Sequence, residues 1–354
     1  NLNIYKMSGG IAQLVAVGAQ DAHLVGQPEV SFFRSNYRRH TNFAQTVERQ
    51  VLQGVPAAGG ISTVRFERKG DLLGYCYITQ RTPAPLNKSE WAARIKKVEW
   101  LVGGQVIDEQ TSHFSQYIAP TILAQNTSKG PDRSATLETR FYPLRFSFCE
   151  NWQSAIPLIA LQYHDVELRI TWNTPAATDY EVHAQYIYLD TDERTTLAGT
   201  PQNMIITQTQ KSIASNVAMQ ELNFNHPVKL LASTNLFTGD ALGIATGSMK
   251  LQINGTDVTD SKPTVPHYTE ASLYYHTAAE TVSGASGDAG NYFLYPFCLE
   301  TAKLQPTGSL NFSRLDSARL VSTGGTFTTG QDVYAVNYNI MRIENGMGGL
   351  MYSN

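Results

Sequence analysis

Eight histidines, three cysteines and 30 acidic residues supply the groups from which catalysis or metal binding would have to be built. The histidines, His23, His40, His113, His164, His183, His226, His267 and His276, are scattered. No two of them show H-x-H or H-E-x-x-H spacing, so a zinc or cupin-type site gains no support. His164-Asp165 has the order of a base and its orienting carboxylate. The matching place in the second half of the chain carries Leu315-Asp316, so the Asp repeats and the His does not. A strand-end Asp that accepts backbone N–H bonds is the better reading. Glu48, Glu67, Glu99, Asp108 and Glu109 contain enough carboxylates for a glycosidase pair, but no spacing selects two of them. G-x-S-x-G, P-loop and G-x-G-x-x-G patterns are missing. Ser283-Gly284-Ala285-Ser286-Gly287 imitates a nucleophile elbow only in composition and reads as a loop. The expectation is a chain without catalytic residues, metal or cofactor.

Cys76, Cys149 and Cys298 each sit in an apolar or aromatic run. An odd count without Cys-x-x-Cys spacing argues against a disulfide framework or zinc site, so they read as buried thiols made in a reducing compartment. Asn87, Asn126, Asn254 and Asn311 head N-x-S/T triplets and are candidate glycosylation sites. Asn87 and Asn126 lie in polar, loop-like stretches. Asn254 is expected to be occupied in a turn and Asn311 to lie at a strand.

Charged residues make up 16% of the chain, against about 25% in typical soluble domains. A surface so poor in charge suits a protein whose flanks are covered by neighbours, or a sandwich with many polar turns. The net charge of −3 gives no bulk support to direct nucleic-acid contact. The one basic cluster, Arg34, Arg38, Arg39 and His40, is interleaved with Phe32, Phe33 and Tyr37. That mixture is favoured at intersubunit or interdomain seams. No stretch is long and apolar enough to span a membrane, and no signal-peptide pattern opens the chain. Met7-Ser8-Gly9-Gly10 reads as a natural start, with Asn1–Lys6 as upstream read-through.

The elements that must position these residues are strands. The chain carries the same landmarks twice. Val102-Gly103-Gly104 is echoed by Ile253-Asn254-Gly255, Phe141-Tyr142-Pro143 by Leu294-Tyr295-Pro296, and Asp165 by Asp316. Tyr186 is echoed by Tyr338, and Phe66 by Phe224 ahead of the Leu72-Leu73 and Leu230-Leu231 pairs. Offsets of 151 to 158 residues imply that one all-β unit was duplicated and fused. Lys97–Val102 alternates and closes on Gly103-Gly104, and Lys250–Ile253 closes on Asn254-Gly255, so two hairpins are predicted. Thr111–Gln125 has helical spacing, with Pro120 expected to kink or end it. Leu158–Leu161, Val166–Trp172 and Tyr186–Leu189 read as strands. Residues 8–27 are rich in Gly and Ala, lack a long helical stripe and read as an extended arm; from residue 28 the chain turns strand-like. Polar Asp190–Gly199 followed by Thr200-Pro201 marks a boundary. Thr234–Ser248 and Asp260–Asn291 read as long inserts. The expected architecture is all-β: an arm at 1–27, then two tandem eight-stranded jelly-roll sandwiches at 28–199 and 200–354, with short helical inserts.

Ser8–Asp21 strongly resembles the amino-terminal arm of the major capsid protein of nucleocytoplasmic large DNA viruses, in the algal-virus and mimivirus-like branch. Pro28-Glu29-Val30-Ser31-Phe32-Phe33-Arg34 followed by Tyr37–Ala44 is the most distinctive stretch. Ile156–His164, Tyr188–Arg194, Asn223–Pro227, Asn311–Asp316 and Asn345–Leu350 extend the likeness to the C-terminus in the same order. The resemblance implies a double jelly roll, a homotrimer forming a pseudo-hexagonal capsomer, and tiling of capsomers into an icosahedral shell around a double-stranded DNA virus. It implies neighbouring capsomers and minor capsid proteins as partners, and contact with an inner membrane only through the minor proteins. The implied location is the virion, with manufacture and assembly in the host cytoplasm. Gln13, Gln20, Asp21, Phe32, Phe33, Arg34, Tyr37, Arg38 and Arg39 are the expected arm and interface residues. The loops around 124–136, 174–181, 234–248 and 261–290 are expected to include outward-facing tips, which shorter inserts than in many relatives would keep low. The competing readings are a minor capsid or penton-type jelly roll, a carbohydrate-binding or glycoside-hydrolase jelly roll, and a secreted adhesin.

Overall fold

The computed structural model describes residues 9–26, 31–35, 37–81, 86, 88–125, 141–175, 179–214, 216–234, 248–277, 292–327 and 332–353. The chain falls into two compact units, Asn1–Asn42 and Phe43–Asn354. The first unit holds two short helices, α1 (Gly9–Val15) and α2 (Asp21–Leu24), where an extended arm was expected. Ala12, Gln13 and Leu14 are good helix formers and sustain the turns of α1 after two glycines. Described residues between 31 and 42 form no strand, contrary to the strand-like reading from residue 28. Their clustered Arg, Ser and aromatic residues do not alternate as a half-buried strand must.

In the second unit, ten strands among the described residues form the first sandwich: two short ones, Leu52–Gln53 and Ile156–Pro157, and the eight that carry its plan. They are β1 (Phe43–Gln50), β2 (Ile61–Arg65), β3 (Leu72–Gln80), β4 (Ile95–Val102), β5 (Gln105–Thr111), β6 (Phe141–Pro143), β7 (Val166–Trp172) and β8 (Tyr180–Leu189). Their order is β1-β8-β3-β6 in one sheet and β2-β7-β4-β5 in the other. Eight more described strands repeat the plan, with short additions at Lys262–Pro263 and Leu310–Asn311: β9 (Gln202–Ser212), β10 (Met219–Glu221), β11 (Pro227–Thr234), β12 (Ser248–Ile253), β13 (Thr256–Asp257), β14 (Tyr292–Pro296), β15 (Ala318–Thr323) and β16 (Val333–Glu344). They are ordered β9-β16-β11-β14 and β10-β15-β12-β13. A final strand, β17 (Met347–Leu350), pairs with β16. The described pairings are antiparallel, and each set of eight has the connectivity of a jelly roll, as expected.

Alternation produces the cores. Val166, Leu168, Ile170 and Trp172 point inward from β7, and Tyr180, Val182, Ala184 and Tyr186 from β8. They meet Trp91, Trp100, Tyr142 and Phe148 in the first core. The Trp172 indole N–H donates to Ser62 Oγ at 2.8 Å, which satisfies its polar tip. Leu251, Phe293, Phe312, Leu320 and Phe327 fill the second core. Both predicted hairpins form. Gly103 and Gly104 have φ of 57° and 83°, and Asn254 and Gly255 have 49° and 78°, the left-handed pair that a two-residue turn requires.

Helices occupy the connections: α3 (Lys88–Arg94) follows β3, and α4 (Ala119–Ile122) continues a π-helical turn at Phe114–Ile118. Together the π turn and α4 supply the helix expected over 111–125, and Pro120 fits because it lies in the first turn of α4. α5 (Ser147–Glu150) lies beyond β6. Leu158–Ala160 is a turn, not the expected strand, although Leu158 and Leu161 are buried. An apolar run registers burial rather than extension. The polar boundary segment is a helix, α6 (Thr191–Gly199), with Asp190 Oδ1 accepting from the Thr191 N–H at 2.8 Å. The insert read at 260–291 contains α7 (Thr264–His267) and α8 (Glu270–His276).

Pairing registers refine the repeat. From the shared Pro143 and Pro296, neighbours run Pro143–Tyr77–His183–Arg49 in one sandwich and Pro296–Leu230–Val336–Thr209 in the other. Arg49 therefore matches Thr209, and Tyr186 matches Asn339 rather than Tyr338. Gly103 and Asn254 donate their backbone N–H to Asp165 O and Ser317 O, so Asp165 matches Ser317 rather than Asp316. Phe66 and Leu222 donate likewise to Val166 O and Ala318 O, so Phe66 matches Leu222 rather than Phe224. Unequal connection lengths had displaced the similar letters by one or two residues.

Candidate assembly surfaces

The carboxylates that suggested catalysis are tied into ion pairs and hydrogen bonds. Glu48 and Glu67 share Lys69, at 2.9 and 3.5 Å. Glu99 and Glu109 face each other across β4 and β5, with Lys97 Nζ between them at 3.0 and 2.8 Å. Arg169 also approaches Glu99, at 3.6 Å. A carboxylate pair bridged by a lysine on a sheet face is an ion-pair network, not an acid facing a nucleophile. His164 Nδ1 lies 2.8 Å from the Gly348 carbonyl oxygen, and its ring fills the space where a Cβ on Gly103 would stand. Asp165 pairs instead with Arg65 and Arg68. Among the described residues, no group of three or more His, Cys, Asp or Glu is placed to hold a metal ion. The three cysteines are buried and free.

Among the described residues, open grooves mark the surface of the second unit. One of about 620 Å³ is lined by Lys211, Ile213, Val217, Met219, Glu221 and Arg319. Another, of about 360 Å³, lies at the corresponding corner of the first sandwich beside Val51, Gln53, Arg65 and Asp165. A third, of about 490 Å³, runs between Gln125, Gln153 and Ile205 and the Ala302–Pro306 segment.

The most developed contact is the seam between the two sandwiches. Phe114, Ile118 and Ile122 from the π turn and α4 pack with Leu230, Ala232, Leu294, Tyr334 and Val336 on the outer face of the second sandwich. At the other end, Ile206, Met341 and Ile343 join the core cluster of the first sandwich. Between these patches the edge of β5 meets β9: Gln208 Nε2 donates to Ile107 O, and the Thr209 N–H donates to Asp108 Oδ1 at 2.8 Å. Gln110 Nε2 donates to the other Asp108 oxygen at 2.9 Å. Burial pushes the Asp108 carboxyl up to about 7, against the pull of these donors. Thr111 Oγ1 and Tyr334 Oη lie 2.9 Å apart. Sequence reasoning named Asp108 only as a loose carboxylate. Its partner is 101 residues away, and no local pattern announces it.

Buried Lys229 was also missed. Its Nζ donates to Lys303 O at 2.8 Å and stands 5.8 Å from the Tyr338 ring centre. Burial pulls its pKa down to about 8.

In the first unit, Gln13 lies on α1, Gln20 precedes α2 and Asp21 opens it. Asp21 Oδ2 accepts from the Gly18 N–H at 2.6 Å. Phe32, Phe33 and Tyr37 are 100%, 100% and 92% exposed in the single chain, beside Arg34, Arg38 and Arg39. Arg39 donates to Asn42 Oδ1 at 2.7 Å. Leu14, Val17, Leu24 and Val25 are also exposed. An apolar segment this open fits contact with another surface. Of the sequons, Asn254 occupies the hairpin turn, its Oδ1 accepting from Asp316 and Ser317, and Asn311 caps a 3-10 turn by accepting from Ser313. Asn87 and Asn126 lie outside the described residues, as do most of the proposed loop tips.

Comparison with known proteins matches this architecture. Residues 31–233 match the family described as "Major capsid protein N-terminus", and residues 242–349 match "Large eukaryotic DNA virus major capsid protein". The major capsid protein of Pyramimonas orientalis virus is 35% identical, with 98% of this chain and 100% of that protein covered. That of Paramecium bursaria Chlorella virus 1 is 32% identical, with the same coverage. The crystal structure of PBCV-1 VP54, fitted into a reconstruction of the virophage Sputnik, superposes with a TM-score of 0.74 at 26% identity, covering 92% of this chain and 100% of that one. These relatives are structural proteins of virion capsids and not enzymes. The chain belongs to the major capsid protein family of large eukaryotic DNA viruses.

Proposed function

We propose that three copies of this chain join as a trimeric capsomer, and that such capsomers tile the icosahedral shell of a large double-stranded DNA virus. The observation that carries this is the pair of jelly rolls of one topology joined by an extensive seam. One subunit thereby presents two similar lobes, and a threefold operation turns them into a six-lobed rim. Such a rim meets six neighbours through similar contacts, each weak enough to reverse and correct errors while many together hold the shell. The domains of this reading are an arm at 1–27, a first jelly roll at 28–199 and a second at 200–354. The arm, with Phe32, Phe33, Arg34, Tyr37, Arg38 and Arg39 following it, lines the capsomer base and meets neighbouring capsomers and minor capsid proteins, through which any inner membrane is contacted. Assembly takes place in the host cytoplasm, and glycans, where added, attach at sequons such as Asn87 and Asn126.

Electron microscopy of the purified recombinant protein tests this. Particles with a hexagonal outline and threefold averages are expected; uniform two-lobed monomers would refute it.

A further inference from the structure

We infer that the intrachain seam is the template for the contact between chains: the β12–β13 hairpin of one copy plugs the open β1 edge of the first sandwich in the next copy. This rests on the trimer reading above and names its interface.

The internal repeat supplies the argument. Within one chain, Val102 and Gln105 beside the turn lie against β17, while Ile107 and Asp108 of β5 close the β9 edge of the second sandwich. There Ile206 and Gln208 are 2% and 5% exposed. The register equates these two with Thr46 and Glu48, and Thr209 with Arg49. On β1 no described residue of the second unit does the closing. Phe43 through Val47 are exposed, Phe43 and Val47 at 50% and 42%. The plug is duplicated too. Ile253-Asn254-Gly255-Thr256 repeats the Val102-Gly103-Gly104-Gln105 hairpin. Val258 donates its N–H to Leu251 O, the place that Asp108 takes opposite Trp100. Thr256 and Asp257 are exposed, and Val258 is 49% exposed. One chain thus carries an unused socket on its first lobe and an unused plug on its second. A plug that cannot serve its own socket joins copies head to tail, and such a contact closes into a ring when its rotation divides a full turn. Arg49 is paired with Glu181 and Asp257 with Lys250 inside the chain, so the match rests on the strand register and on exposed Val258 rather than on charge.

The test is the double variant R49C/V258C, oxidised with copper–phenanthroline. These positions match Thr209 and Asp108, which touch in the intrachain seam. The native cysteines are buried. A covalent ladder ending at the trimer on a non-reducing gel supports the interface. A trimer by light scattering without any cross-link overturns the interface and leaves the trimer reading standing. A monomer by light scattering overturns both. A second variant, Val258→Arg, places charge in the plug. It is expected to raise the trimer dissociation constant at least tenfold with the melting of the monomer unchanged; unaltered trimerisation would overturn the inference.

Discussion

Asp108 is where one side chain decides how firmly two sandwiches hold together. Its pKa in the folded chain, about 7, lies above the ordinary 3.8, so folding takes up a proton between those values. Its contribution to stability is therefore full below about pH 4 and is lost as the pH rises through about 7. Asp108→Asn keeps an acceptor for the Thr209 N–H and removes the titration. The variant should melt higher than the parent at pH 8 and show a flatter profile between pH 4 and 8 by differential scanning fluorimetry. A larger loss at pH 8 than at pH 5 would contradict this. Gly103 is a second decisive residue. A Cβ there would stand 2.5 Å from the His164 ring at a φ of +57°. Gly103→Ala should cost about 1–3 kcal/mol in chemical denaturation, whereas Asn254→Gly, which keeps the left-handed turn and loses the two bonds from Asp316 and Ser317, should cost about 1 kcal/mol. The sequence made His164 legible as a non-catalytic residue, because the second half lacks it. Its role between Gly103 and Gly348 was not legible, since Gly348 is 184 residues distant.

Among elements, the hairpins were the most legible, because a two-residue left-handed turn leaves a local signature in Gly-Gly and Asn-Gly. The boundary helix α6 was hidden: none of its residues is buried, so it has no apolar stripe to read. The turn at Leu158–Ala160 deceived in the opposite way, through burial without extension. Phe114–Ile122 read correctly as helical, but not its purpose of packing one sandwich on the other. Phe114 is wholly buried against Tyr334, with ring centres 5.5 Å apart. Phe114→Ala should cost about 3–5 kcal/mol and split one unfolding transition into two in calorimetry. A single transition with an unchanged midpoint would remove the helical insert from the account.

For the whole molecule, the duplication was visible in repeated letters, and it fixed the number and kind of domains before any contact was known. The registers that make the repeat useful came from strand pairing, since unequal connections shift the letters. The arm shows the same limit. The segment that follows it exposes Phe32, Phe33 and Tyr37, which fits contact with another surface, while composition only hinted that flanks are covered. Deleting residues 8–27 should leave folded trimers that fail to form shells in an assembly assay followed by electron microscopy. Normal shells from the truncated chain would exclude the arm from assembly. The central claim, that one chain supplies two lobes of a threefold capsomer, is tested most directly by the solution mass of the purified protein from light scattering across salt and pH. A stable species of three times the chain mass, with little monomer, is the predicted result. A well-behaved monomer throughout would contradict it.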